Sequence, residues 1–299
     1  MNITAVIPTK NRPKDLALAV QSILLQSRRP SELVVIDQSD DETGKNLIHS
    51  LLFDAKISLI YIYDPSIAGL VAAKCEAIKY VTGDLICFLE DDVILESDYL
   101  SEIEAGFVGE MEMLGCCGVV ADVGLQPHGY VKFFHLFHRG IFWDPRVGVH
   151  GHFSGKGYPL IPSPTLSGGL SAWRKEVFDT VHFDTGNDFF MLEDIDFSTR
   201  AAAAFGNRFF INPNARLEHL ASPLNRARMP AQQRRKLREY LVFYKKRKSL
   251  PWAFSALVWL LFGLFLVSII QSLRHRSPSL ALNYWAGIVD GIKWKLRPA

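Results

Sequence analysis

Short apolar runs alternate with amphipathic stretches along the first 121 residues. ITAVIP at the start, ELVVID ending on Asp37, ISLIYIY, LICFL and CCGVVA are each almost wholly apolar and of strand length. Between them the apolar positions recur at helical spacing. Residues 13–26 open on Pro13, suited to a first helical turn, and carry Leu16, Val20, Ile23 and Leu24 on one face. Leu47, Ile48, Leu51 and Leu52 mark a second helix, residues 69–81 a third, and Tyr99, Leu100, Ile103 and Phe107 a fourth. Apolar strands alternating with amphipathic helices predict an α/β fold, with a parallel sheet covered on both faces. In such sheets ligands bind beyond the carboxyl ends of the strands.

That rim carries unusual chemistry. The strand LICFL runs straight into Glu90, Asp91 and Asp92 before apolar residues resume at Val93. Adjacent carboxylates repel, and burying them is costly without compensation. Asp37 ends another strand, and PTKNR, from Pro8 to Arg12, follows the first. All are expected on one rim, where a divalent cation would hold the acids together. Solvated turn acids are the bland alternative, but three seldom stand together between two apolar runs. The turn after the first strand contains neither GxGxxG nor a Walker A motif, which argues against a dehydrogenase and a P-loop NTPase.

The second half is less regular. Residues 122–164 are rich in Gly, His and aromatics, and VKFFHLFHRGIFWDPR places His135, His138 and Arg139 toward a substrate, on a half-buried surface helix or on a membrane-facing flap. LSGGLSAWRKEVF pairs small residues with a helix start. Glu193, Asp194 and Asp196 open an apolar helix that stops at Gly206, as capping acids or as catalysts. RFFINP reads as a strand, with His219 beyond it.

Charge and hydropathy add a further element. The net charge of +2 is uneven: residues 226–248 hold ten Lys or Arg and one acid, Glu239. An uncharged run over residues 251–273 follows at once, long enough to span a bilayer or lie deep in one. Basic residues flank it on both sides, so the positive-inside rule selects no orientation, and a re-entrant or interfacial hairpin competes with a simple span. The basic window reads as a patch for anionic headgroups or a phosphorylated ligand. The spacing of Cys75, Cys87, Cys116 and Cys117 fits neither a zinc site nor a disulfide framework, which predicts a reducing compartment. Met1 leads directly into a strand, so no signal peptide is expected.

Taken in order, AVIPTKNR, VVIDQSDDET, AGLVAAKCEAIKYVTGDLICFLEDDV, LSGGLSAWRKEVF and LEDIDFSTRAAAAFG resemble the family-2 glycosyltransferases with the GT-A fold, over roughly residues 3–221. The resemblance implies a Rossmann-like, mostly parallel central sheet with helices on both faces. It implies an inverting enzyme that takes a sugar from a nucleotide-sugar, with Mg²⁺ or Mn²⁺ as cofactor. Carried over, Pro8, Thr9 and Arg12 line the nucleotide pocket, Asp37 meets the base or ribose, Lys74 the diphosphate and Asp91 the ribose. Asp92 binds the metal, with Glu90 and His219 as further candidates. Asp194 is the general base, and Gly168, Gly169, Glu193 and Asp196 lie on the acceptor side. Lys10, Gln38 and Glu90 depart from the family's commoner residues, and Glu90 bears on direct ligation.

The resulting division is a GT-A catalytic domain over 1–225, with a nucleotide half to about 121 and an acceptor half from about 122. A basic helical linker over 226–250, a membrane segment over 251–273 and an amphipathic tail over 274–299 follow. Together with the apolar run, the resemblance implies a lipid-linked or saccharide acceptor, contact with membrane lipids and no nucleic acid. The setting it implies is the cytoplasmic face of the cell membrane, in surface polysaccharide or glycolipid assembly. A metal-dependent nucleotidyltransferase and a membrane-tethered nucleotide-sugar-binding scaffold are the competing readings. The missing Gly-rich loop argues against the first and the intact EDID acids against the second.

Overall fold

The protein is described by a computed structural model over residues 1–121, 128–150, 152–153, 155–220, 222 and 229–297. The boundaries expected near 122 and 225, and the first part of the basic window, lie outside these residues.

The alternating first half folds as the pattern predicts. Strands β1 (Ile3–Thr9), β2 (Glu32–Asp37), β3 (Ser58–Tyr63) and β4 (Leu85–Leu89) are separated by helices α1 (Pro13–Leu24), α2 (Thr43–Leu51) and α3 (Leu70–Ile78). They pair in parallel in the order β3-β2-β1-β4. β1, β2 and β4 are buried throughout, as strands covered on both faces must be, while β3 is the half-exposed edge. Next come β5 (Val93–Leu95), α4 (Tyr99–Gly109), β6 (Gly115–Val120), α5 (His128–Phe137), a 3₁₀ turn at Gly140–Phe142 and the short β7 (Ile161–Pro162). β8 (Leu170–Arg174), α6 (Val177–Thr180), α7 (Glu193–Phe205) and β9 (Phe209–His219) complete the sheet, in the order β3-β2-β1-β4-β8-β6-β9-β5, with β7 on β9.

Two departures from the sequence reading matter to the site. LSAWR is a strand rather than only the approach to a helix, and it enters antiparallel between β4 and β6. Its central Ser171 and Ala172 lie beside Cys87, Cys116 and Cys117, so small residues replace the apolar run that would have marked a strand. The strand expected to end at Pro213 also continues to His219. A register irregularity in its pairing with β6 accommodates Pro213, which cannot donate to a ladder.

Three C-terminal helices follow: α8 (Met229–Arg247), α9 (Ala253–Arg274) and α10 (Ser279–Lys293). The expected basic linker is a packed helix. Tyr240, Leu241, Val242 and Phe243 of α8 share a second core with Phe142, Phe189, Leu192 and with Leu257 and Leu260 of α9. Arg234 pairs with Asp290 of α10, and Lys245 donates to the carbonyls of Ile292 and Trp294. Gln233, near the start of α8, meets Ser268, near the end of α9, so these two helices run antiparallel side by side. Among the described residues α9 is the one helix long and apolar enough to cross a membrane. Its Phe254, Val258 and Phe262, four residues apart, form an exposed stripe.

Candidate active site

The parallel register of β1 and β2 sets Thr9 beside Asp37, and β4 lies on the other side of β1, so three strand ends converge on one rim. Pro8 is buried one residue short of it. Asp91 accepts from Thr9 Oγ1 at 2.7 Å and from Arg12 Nη1 at 2.8 Å. Burial pushes its carboxyl up to about 6, against the opposing pull of Thr9 and Arg12. Asp37 is fully buried and already engaged, accepting from Tyr61 Oη at 2.5 Å and Ser39 N at 2.9 Å. Burial, then that bond, raises the Tyr61 phenol far above its ordinary value.

Asp92 meets a residue 127 positions away, and the pairing of β5 with β9 is the reason. β5 begins directly after Asp92, and its Val93 stands opposite His219. His219 Nε2 therefore lies 3.2 Å from an oxygen of Asp92 and 3.2 Å from one of Glu90. Ser222 N donates to Asp92 at 2.9 Å, and Arg12 stands at 3.4 Å. Burial disfavours the Asp92 anion, but His219, the Ser222 N–H and Arg12 outweigh it and hold the carboxyl below its ordinary range. The bonds to Asp92 and Glu90 raise His219 to about 10, despite partial burial. One donor atom each from Glu90, Asp92 and His219 lies within 4.8 Å of the others. Two carboxylate oxygens and an imidazole nitrogen so placed suit Mg²⁺ or Mn²⁺. Glu90 is the open member, its side chain 41% exposed against 3% for Asp92.

Gly168 and Gly169, at the entrance to β8, separate this triad from the acids of α7. The Gly169 carbonyl accepts from Glu90 N at 3.0 Å, and Gly168 N donates to Asp194 at 3.3 Å. A Cβ on Gly168 would lie 2.2 Å from Glu193 Oε1, and one on Gly169 2.3 Å from Glu90 Cγ. Carboxylates occupy the space that side chains would need.

The three acids opening α7 diverge, as helical geometry requires of near neighbours. Glu193 turns inward and pairs with buried Lys74 at 2.6 Å, while Lys74 also donates to the Gly168 carbonyl at 2.9 Å. Burial pushes Glu193 up against the pull of Lys74. Asp194 is partly exposed and pairs with Arg146 at 2.5 Å. Asp196 is buried away from the rim, paired with Arg200, Lys246 and Arg247. Those cations outweigh the burial that opposes its ionisation and hold its carboxyl low.

Arg146 and Asp144 were not singled out by sequence. Arg146 is buried, gripped by Asp144 at 2.8 Å through both Nε and Nη2, and donates to the Leu166 carbonyl at 2.9 Å. The only signal is an acid and an Arg two apart in WDPR, within a segment remarked upon for its histidines. Those histidines are structural. His138 is buried against Phe134 and bonded to Tyr240 Oη at 3.0 Å, with burial pushing it down to about 4. His135 packs on Trp143, and Arg139 lies over the same ring. α5 is thus half-buried and packs on α9, with the Leu136 carbonyl accepting from Trp259 Nε1 at 2.7 Å and Phe137 against the same ring, which fits the surface-helix and the membrane-flap readings alike.

Comparison with known proteins agrees with this arrangement. The family model described as glycosyl transferase family 2 matches residues 4–181. An uncharacterized glycosyltransferase of Rickettsia felis is 24% identical over 183 residues, covering 59% of this chain and 27% of the relative. Validoxylamine A glucosyltransferase of Streptomyces hygroscopicus subsp. limoneus is 25% identical over 121 residues, covering 38% and 26%. The chain thus spans about a quarter of the length of these curated relatives. Among solved structures, the mannosyltransferase PcManGT from Pyrobaculum calidifontis, in complex with GDP-Man and Mn²⁺, superposes with a TM-score of 0.62 at 15% identity, covering 98% of this chain and 87% of that one. S. aureus TarS 1-349 in complex with UDP-GlcNAc gives 0.62 at 16%, covering 98% and 81%. At these identities the likeness establishes the fold.

Proposed function

The chain belongs to glycosyl transferase family 2, and from that premise we propose an inverting, metal-dependent transferase that moves a sugar from a nucleotide-sugar to a lipid-linked or saccharide acceptor. The observation that carries the reading is the Glu90–Asp92–His219 cluster at the strand rim, with Asp194 across the two glycines. Similar structures in complex with GDP-Man and Mn²⁺ or with UDP-GlcNAc support the donor class.

Glu90, Asp92 and His219 would hold Mg²⁺ or Mn²⁺, which when bound supplies Lewis-acid stabilisation to the departing diphosphate. Thr9 and Arg12 fix Asp91 for the donor's ribose, and Pro8 and Asp37 shape the base side through the backbone and Tyr61. Lys74, buried in its pair with Glu193, also holds the Gly168 carbonyl and so shapes the floor between the triad and Asp194. Arg146 and Gly168 N hold one oxygen of Asp194, and Ile195 N reaches the other at 2.7 Å. A carboxylate offers about four acceptor positions, so capacity remains to take the acceptor hydroxyl's proton. Attack from the face opposite the leaving group inverts C1 through an oxocarbenium-like transition state. The direct test is nucleoside diphosphate release from a panel of UDP- and GDP-sugars, with and without Mn²⁺. No release from any donor under either condition would overturn the reading.

Metal uptake should depend on pH. With His219 raised to about 10, the metal-free site is protonated near neutrality, and the proton must leave before Nε2 can ligate. Mn²⁺ should therefore bind more tightly as pH rises from 6 to 8.5, with proton release seen by calorimetry in buffers of different ionisation enthalpy. Constant affinity over that range would remove His219 from the ligand set.

The membrane reading becomes specific when α9 is viewed beside α8. A perpendicular span would carry the Arg234–Asp290 pair and neighbouring cations of α8 into hydrocarbon. Lying in the interface plane instead seats Phe254, Val258 and Phe262 in lipid and leaves Lys248, Arg274 and Arg276 among headgroups, at the cytoplasmic leaflet of surface polysaccharide or glycolipid assembly. A cut after Lys248, ahead of the apolar helix, would strip Leu257 and Leu260 from the second core. The better probe is Phe254→Glu with Val258→Glu, both at exposed positions. Binding to anionic vesicles should fall at least about tenfold with Tm unchanged. Undiminished binding would place the membrane contact elsewhere.

A further inference from the structure

The basic window from residue 226 to 248 contains one acid, and that acid is fully buried. Glu239 Oε2 accepts from Met191 N at 2.8 Å and Leu192 N at 3.0 Å, while Oε1 accepts from Arg235 Nε at 2.9 Å. Leu192 is the N-cap of α7, and Asp194 is two residues on. The first N–H groups of a helix have no partner inside it, and negative charge is favoured at that end. Leu192 supplies no side-chain cap of its own, and within the helix Asp194 accepts only from Ile195 N, further into the first turn. Another helix supplies it here: a carboxylate of α8 closes the start of α7.

The grip is repeated a turn further along. Lys246 and Arg247, seven and eight residues after Glu239 and thus on nearly the same face of α8, pair with Asp196 of α7 at 2.8 and 3.2 Å. Asp194 stands between the two attachments, with its side chain pointing to Arg146 instead. A Lys or Arg at 239, in keeping with its neighbours, would set a cation against the positive end of α7.

We infer that Glu239 is a positioning residue for sugar transfer: by capping α7 from α8, it fixes the direction in which Asp194 presents its carboxylate to the acceptor hydroxyl. The inference rests on the reading of Asp194 as the base. Loss of the cap frees the first turn of α7 and misaligns that oxygen, whereas Thr9, Arg12, Asp91 and Asp92 sit on other elements and keep the donor in place.

The experiment compares Glu239→Ala, Glu239→Gln, Asp194→Asn and the Glu239→Ala/Asp194→Asn double variant in the full chain. The substrate is the UDP- or GDP-sugar that the panel selects, with Mn²⁺. Glu239→Ala should lower kcat by on the order of 10- to 100-fold with donor KM unchanged, since an ångström of misplacement carries losses of that size. Glu239→Gln keeps an oxygen for the two N–H groups and should return kcat to within a few-fold of the parent. The double variant should be no slower than Asp194→Asn, because a residue acting only through Asp194 has nothing left to act on. A normal kcat in Glu239→Ala beside an impaired Asp194→Asn overturns the positioning role and leaves the base intact. So does a further loss, of the same factor, in the double variant. A normal kcat in Asp194→Asn removes the base itself, and the positioning role falls with it. Should Glu239→Ala not fold, Glu239→Asp, which keeps the charge and shortens the reach by one methylene, takes its place with the same outcomes.

Discussion

Asp194→Asn should slow sugar transfer by roughly 10²- to 10⁴-fold, the range that a positioned general base contributes, while binding of UDP or GDP with Mn²⁺ should stay unchanged. The amide keeps the size of the carboxylate but cannot take a proton. It also presents one oxygen where the carboxylate presents two: Arg146 and Gly168 N can hold that oxygen, while Ile195 N loses its acceptor. The proposed donor residues lie on β1, at the residue before α1 and on the strand rim, so calorimetry with the nucleoside diphosphate separates the two effects. Near-normal turnover would refute the assignment and direct attention to Glu193, buried against Lys74. Joint loss of turnover and nucleotide binding would show that residue 194 supports the donor site instead.

Asp92→Ala should abolish Mn²⁺-dependent nucleotide binding, with a loss of at least about 100-fold, since removing even an outer partner of a metal ligand costs roughly 10- to 100-fold. The substitution takes one carboxylate from the triad and leaves His219 with Glu90 alone. EDTA should reproduce the effect in the parent protein. Thermal melting gives a readout separate from turnover: Mn²⁺ should raise the Tm of the parent, by linkage of metal binding to folding, and leave that of Asp92→Ala where it was. Full activity in EDTA, or an equal Tm rise in both proteins, would sink the metal assignment.

Much of this was legible in the chain because its first half obeys local rules. Strands covered on both faces are apolar at every position, so β1, β2 and β4 announce themselves, and the acids after them are placed on the rim by topology alone. The second half depends on distant pairing. β8 is marked by small residues whose strand character comes only from the cysteine-lined slot between β4 and β6. The long β9 is disguised by Pro213, and without it His219 has no visible route to Asp92. Lys74, assigned by resemblance to the diphosphate, is buried on Glu193, a partner 119 positions away that no local pattern identifies. Arg146 escaped for a similar reason, since a buried Arg that holds two acids looks locally like any other Arg in a loop.

The step at Gly168 and Gly169 has a consequence for which substitutions this part of the chain can take. With Glu193 Oε1 and Glu90 Cγ each closer than 2.5 Å to where a Cβ would stand, every other amino acid is excluded at both positions while those carboxylates keep their places. Growth at either position therefore requires Glu90 or Glu193 to move first; Glu90 is 41% exposed, whereas Glu193 is buried against Lys74. A substitution at Gly169 is thus expected to act on the triad by displacing Glu90, and one at Gly168 on the pair of Glu193 with Lys74.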